Sequence, residues 1–230
     1  MVAAPADADG RRARAAADGF LYLPGLLPAA RIAPLARLVD DALARRGWSV
    51  DGHSDPALRL GGWDDPRWVD FLAEVLAAPA FRALAIAPEL LAAVEAVVGA
   101  APELHVGDVC RLVSPGAHDL ATPPHQDAAY VANADRVWTA WLPLGPCPRA
   151  LGPLAFVPGS HLGGVRSHAL VAGGVAVGLD LPPDAAWQSA DLDLGDVLLF
   201  SSHTIHRALP NLTPARLRVS VDYRYRGTGS

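Results

Sequence analysis

The stretch from Arg216 to Tyr225 constrains the fold most. Leu217, Val219, Val221 and Tyr223 alternate strictly with Arg216, Arg218, Ser220 and Asp222. A period of two belongs to a β-strand, whose successive side chains leave on opposite faces. One face of this strand is therefore expected to pack in an apolar layer while the other looks into a wet cavity. A slip of one residue would exchange the faces, so the register is strongly specified. Unpaired charge is costly to bury, and the polar face must meet water, counter-charge or a ligand.

Shorter β-like runs precede it, at Leu104 to Val113, Arg136 to Leu144, Leu154 to Val157 and Asp196 to Phe200, each broken by Pro or Gly. The first 100 residues read differently. Phe20 to Pro24 forms a short strand, and Pro28 opens a helix over Ala29 to Arg46 with apolar Ile32, Leu35, Leu38, Val39 and Leu43 on one side. Further helical pieces are expected at Trp68 to Leu76 and Pro88 to Val98, the second ended by Gly99. Gly47 to Arg67, rich in Gly, Asp and Pro and carrying His53, Trp48 and Trp63, reads as a loop that could close over a site. The expected fold is mainly β with a helical N-terminal layer over residues 19–100 and a jelly-roll core over residues 101–226. Residues 1–18, an Ala/Arg/Asp-rich stretch, are expected to be disordered, and residues 1–230 to form a single domain.

Composition narrows the function. A net charge of -5 without any long basic run removes the usual electrostatic basis for nucleic-acid binding. No stretch reaches the roughly 18 unbroken apolar residues of a membrane span, and Met1 to Gly19 builds no signal-peptide core. The two cysteines, Cys110 and Cys147, make neither a disulfide framework nor a zinc pair. A cytoplasmic protein acting on a small molecule, away from nucleic acid and membrane, is the expectation.

The chemistry centres on His125 and Asp127, in Pro124-His125-Gln126-Asp127, together with His206. On extended backbone His125 and Asp127 project to one side and Gln126 to the other, so the pair can share a metal. Two neutral imidazoles and one carboxylate suit a borderline divalent ion. With open coordination positions, this set is the signature of non-heme Fe(II) oxygenases. His203 lies at an odd offset from His206 and is expected to point away. His161 closes a Pro-Gly-Ser-His turn and is expected to hold it by hydrogen bonding. His53, His105, His118 and His168 have no partner at ligand spacing.

These residues occur with Trp138-Thr139-Ala140-Trp141, Pro158-Gly159-Ser160-His161, Gly195-Asp196-Val197-Leu198-Leu199-Phe200 and His206-Arg207-Ala208-Leu209-Pro210-Asn211. In this order, from about Gly19 to Tyr225, the sequence resembles the phytanoyl-CoA dioxygenase family of Fe(II)/2-oxoglutarate oxygenases. The resemblance implies a double-stranded β-helix, a cupin-like jelly roll. It implies that His125, Asp127 and His206 are the catalytic iron ligands, with Fe(II), 2-oxoglutarate and O2 as the reactive set. It also implies an arginine on the last strand for the distal carboxylate of 2-oxoglutarate. An Arg fork can grip a carboxylate through two hydrogen bonds and keeps its charge. Arg216 is the expected anchor, by its distance from Ser220, with its face-mate Arg218 as the alternative. The resemblance places Trp138 on the 2-oxoglutarate side, with a plain core position as the alternative. Arg111 is expected in a solvent-facing ion pair, with contact to an anionic substrate as the alternative. The implied reaction is hydroxylation, because Asp127 fills the position that related halogenases leave to chloride. Desaturation or cyclisation by the same family, a cupin-like metal-binding protein without oxygenase activity, and a zinc hydrolase are the competing readings.

Overall fold

The computed structural model describes the chain except for residues 51, 56, 61–64, 117–121, 132, 135, 172–173, 178–180, 182–184 and 229–230. Trp63 and His118 lie outside the described residues.

An antiparallel sheet organises the molecule. Its strands are β1 (Phe20–Leu23), β8 (Val197–Ser201), β4 (Trp138–Pro143) and β10 (Arg218–Gly227), hydrogen-bonded in that order. The far edge of β10 carries β2 (Pro102–Leu104) and β3 (Val109–Val113) end to end. Opposite the inner face of this sheet lies the pair β5 (Leu154–Phe156) and β9 (His206–Ala208), which single bridges extend to His125 on one side and Gln188 on the other. A hairpin of β6 (His168–Val171) and β7 (Gly174–Val177) follows β5 in sequence. The arrangement is sheet-rich, antiparallel and consistent with a jelly roll.

The alternation in β10 sorts two cores. Val221, Tyr223 and Tyr225 join Leu142, Leu199 and Leu21 in an apolar layer beneath the helices α2 (Ala29–Arg45), α3 (Pro66–Ala77), α4 (Pro79–Ala85) and α5 (Pro88–Val98). Tyr223 and Tyr225 bury their rings there while donating their hydroxyls to the carbonyls of Phe81 and Ala85, at 3.0 and 2.7 Å. Full burial is thus compatible with a polar tip. On the inner face a second core of Phe20, Trp141, Leu198, Phe200 and Phe156 fills one end of the sandwich.

Two expectations change. Residues 1–18 contain a helix, α1 (Ala8–Asp18), where disorder was expected. Asp7 caps it by accepting from the Gly10 amide, and Arg12 ties it to α5 through the Ala96 carbonyl at 3.2 Å. Its stability comes from a cap and a docking partner, neither visible in composition. The loop after Gly47 begins as part of the helical layer: Trp48 is buried against Phe71, ring centroids 5.8 Å apart, with the Arg46 guanidinium over its face. Among the described residues no helix is long and apolar enough to cross a membrane.

Candidate metal centre

Three candidate ligands converge between the two sheets. The Nε2 atoms of His125 and His206 lie 3.6 and 3.7 Å from the same Asp127 oxygen, Oδ1. His125 is bridged to His206 at the start of β9, and Asp127 opens a 3-10 turn, Asp127–Ala129. The intervening Gln126 is extended, so His125 and Asp127 still share a side.

Each imidazole is held in the tautomer a metal needs. His125 Nδ1 donates to the Pro123 carbonyl at 2.7 Å, and His206 Nδ1 to the Thr204 carbonyl at 2.9 Å. Both Nε2 lone pairs are therefore directed at the common point. Burial, with the neighbouring His125 adding to it, lowers the His206 pKa to about 3, so the ring is neutral at physiological pH. Burial alone would raise the Asp127 pKa, but Arg224 and the two histidines hold it well below the usual carboxylate range. The triad presents two imidazole nitrogens and one carboxylate oxygen, all buried, within 4.8 Å of one another. That donor set fits a divalent first-row metal.

Asp127 is braced from behind by residues the sequence reading missed. Its Oδ2 accepts from Thr139 Oγ1 at 2.9 Å and from Arg224 Nε and Nη2 at 3.3 and 3.2 Å. Tyr130 donates to Oδ1 at 2.8 Å. Thr139 and Arg224 face each other in the β4–β10 register, on the inner side. Arg224 is itself clamped where β2 gives way to β3. Its Nη1 donates to the Gly107 carbonyl, and its backbone bonds to His105 N and to Asp108. Gly107 has φ +100° there, with Arg224 against the space a Cβ would fill. The single strand expected over Leu104 to Val113 is broken for this purpose. The signal for Arg224 was in the alternation, since it continues the parity of Arg218, Ser220 and Asp222.

Gln126 points away from the ligands, as expected. Its side chain donates to the carbonyls of Gly164 and His203 and accepts from the Arg166 amide, fastening the 163–168 segment to the turn that carries His125 and Asp127. The Gln126 amide donates to His168 Nε2 at 3.0 Å. His161 reaches the Ala16 carbonyl from its turn, and Gly19 passes so close that a Cβ would sit 2.4 Å from His161 Nδ1.

The two residues expected to bind the co-substrate are not brought to the triad. Arg216 is exposed, ahead of β10, donating to the Pro146 carbonyl on the rim of a separate groove of about 180 Å³ beside Val39 and Leu43. The side chain of Asn211 donates to the Arg216 carbonyl and closes a turn over residues 211–216. The strand alternation starts only after that turn. Trp138 is corrected for a different reason: in register with Tyr225, it packs with the helical core on the opposite face of the sheet. Thr139 and Trp141 take the inner positions. The inner arginine at the head of β10 is Arg218, 1% exposed, donating to the Gly152 carbonyl and lying over the Trp141 ring. Burial, partly offset by Cys147, lowers its pKa to about 10, which leaves it protonated at neutral pH. Arg218 Nε, Ser220 Oγ and Trp141 Nε1 are buried donors without a hydrogen-bond partner among the described residues.

Residues 16–219 match the family model described as phytanoyl-CoA dioxygenase (PhyH). The chain belongs to the phytanoyl-CoA dioxygenase family. Among curated proteins this family member is similar to 1-deoxypentalenic acid 11-beta-hydroxylase of Streptomyces arenae, 38% identical over 120 residues. The corresponding hydroxylase of Streptomyces exfoliatus is 32% identical over 119 residues. Each match covers 47% of this chain and 42% of the relative, so it spans less than half the length of those relatives. Among solved structures, the epimerase SnoN in complex with Fe3+, alpha ketoglutarate and nogalamycin RO superposes with a TM-score of 0.71 at 23% identity, covering 96% of this chain and 83% of that one. The non-heme monooxygenase ThoJ superposes with a TM-score of 0.70 at 21% identity, covering 94% of this chain and 77% of the other. These superpositions establish the fold.

Proposed function

We propose that this chain is an Fe(II)/2-oxoglutarate-dependent dioxygenase that hydroxylates a small organic substrate, built on a double-stranded β-helix within one catalytic domain. The observation that carries the reading is the set of two tautomer-fixed imidazoles and one braced carboxylate on the same inner face as three buried donors that have no partner among the described residues. His125, Asp127 and His206 would hold the iron. Arg218, with Ser220 and Trp141, would take the distal carboxylate of 2-oxoglutarate in place of Arg216, since a fully buried cation with an unpartnered donor favours an anionic ligand. When bound, iron and 2-oxoglutarate supply the activation of O2, with succinate and CO2 as the co-substrate's products.

The protein's part is placement. Arg224 and Thr139 occupy the outer oxygen of Asp127, so the carboxylate offers a single oxygen inward and leaves coordination positions for the co-substrate. Phe200 and Phe156, with ring centroids 4.5 and 5.9 Å from that of His206, form an apolar wall that excludes water on one side of the triad. The sequence similarity to two hydroxylases supports hydroxylation, and 1-deoxypentalenic acid is the natural first compound to try. The test is aerobic conversion of 2-oxoglutarate to succinate with Fe(II) against Zn(II), with and without that compound, and product mass. A gain of one oxygen identifies hydroxylation, and loss of two hydrogens identifies desaturation or ring closure. Activity that is equal with Zn(II) and independent of O2 would exclude the oxygenase.

A further inference from the structure

Arg111 lies on β3 directly opposite Ser220 of β10, which puts its side chain on the inner face with Arg218 and Asp222. Its Nε donates to Asp222 Oδ2 at 2.7 Å, and its two terminal amino groups have no hydrogen-bond partner among the described residues. The pair does not simply face solvent: Asp222 is buried and the Arg111 side chain is 27% exposed. Arg111 lies close enough for its charge to act on Asp127 and His206, so it belongs to the metal side of the sheet. Arg218 is closed off at 1% exposure, whereas the Arg111 side chain keeps partial access to solvent.

We infer that Arg111 is a specificity-determining residue that receives a carboxylate of the organic substrate, so the enzyme acts on carboxylic acids. The inference rests on the oxygenase reading above. Asp222 accepts from Nε through one oxygen, which leaves the two terminal amino groups as a two-donor fork. A carboxylate can accept from both terminal donors at once in a charge-assisted bidentate contact, while an ester, alcohol or amide offers weaker, neutral acceptors. Arg218, Ser220 and Trp141 already provide for the distal carboxylate of the co-substrate. The other carboxylate that could reach Arg111 is the C1 group of 2-oxoglutarate, and the experiment separates the two sources.

Anaerobic protein loaded with Fe(II) is titrated calorimetrically with 2-oxoglutarate. It is then titrated with aliphatic and polycyclic carboxylic acids, 1-deoxypentalenic acid among them, each paired with its methyl ester. The wild type is expected to bind at least one acid about ten- to a hundredfold more tightly than its ester, a charge-assisted bidentate contact's worth. Arg111→Gln should abolish that preference while changing the 2-oxoglutarate Kd less than threefold. Arg111→Lys should retain part of it. The double variant Arg111→Gln/Asp222→Asn, which leaves no orphaned carboxylate, should match the single variant and guards against misfolding. The inference falls if no acid binds, if esters bind as well as acids, or if acid preference survives in both Gln variants. A rise in the 2-oxoglutarate Kd in Arg111→Gln with acid preference intact would assign Arg111 to the co-substrate and overturn it. Failure of the wild type to bind 2-oxoglutarate at all would sink the oxygenase reading and this inference with it.

Discussion

Arg224 shows how much of a metal site lies one layer behind the ligands. Its Nε and Nη2 both reach Asp127 Oδ2, and Thr139 adds a third donor to the same oxygen. Residues that orient metal ligands typically control affinity by about ten- to a hundredfold. Arg224→Met or Thr139→Ala should therefore weaken Fe(II) or Co(II) binding by that order, with Arg224→Met the more severe because it removes two bonds and a buried charge. Metal titration of the apo variants measures this directly. At the other end of β10, Arg218→Lys should raise the Kd for 2-oxoglutarate about tenfold or more, since a point charge cannot reproduce the fork. Arg216→Lys, on the surface, should leave it within threefold. Equal effects at both positions would return Arg216 to the site.

At the scale of elements, the helices α2, α3 and α5 and the main strands were legible because their apolar periods are long and bounded by Pro and Gly. What the periods do not carry is which face of a strand looks inward, or where a strand stops. Trp138 and Thr139 are adjacent in β4, and only the pairing of Trp138 with Tyr225 decides that Thr139 faces Asp127. The gap between β2 and β3 exists because Arg224 and the Gly107 carbonyl meet there, a contact between positions 117 residues apart. The candidate ligands were readable from residue type and order, whereas the choice between Arg216 and Arg218 was not, because both share the strand parity and the Asn211 turn that keeps Arg216 out of β10 is set by side-chain hydrogen bonds. The α1–β1 junction is equally tertiary. Gly19 has φ +81°, and a Cβ would meet Thr204 Oγ1 at 2.6 Å. Gly19→Ala should cost on the order of 1–3 kcal/mol, read as a fall in the denaturation midpoint. It should also disturb the Thr204 carbonyl that orients His206. Trp48→Ala should likewise lose roughly 3–5 kcal/mol, as expected for a buried tryptophan packed on a helix. A mobile lid residue would instead show a small stability change and strong ligand-induced protection from hydrogen exchange.

For the whole molecule, the buried triad couples stability to pH. His206 titrates near its ordinary value when unfolded but at about 3 when folded, so the unfolded chain binds the extra proton first as the pH falls. The stability of the apo protein should be fully present above about pH 6.5 and decline progressively toward pH 3. Bound metal should oppose the loss by competing for the same nitrogens. Denaturation midpoints of the apo and metal-loaded protein across that window would show it. The central claim, that His125, Asp127 and His206 hold a metal on which 2-oxoglutarate binds, is tested most directly by anaerobic calorimetry of 2-oxoglutarate with and without Fe(II). One equivalent should bind when Fe(II) is present and none detectably in its absence, and His206→Ala should lose binding while keeping the wild-type circular dichroism spectrum. Metal-independent binding of 2-oxoglutarate, or undiminished binding in folded His206→Ala, would contradict it.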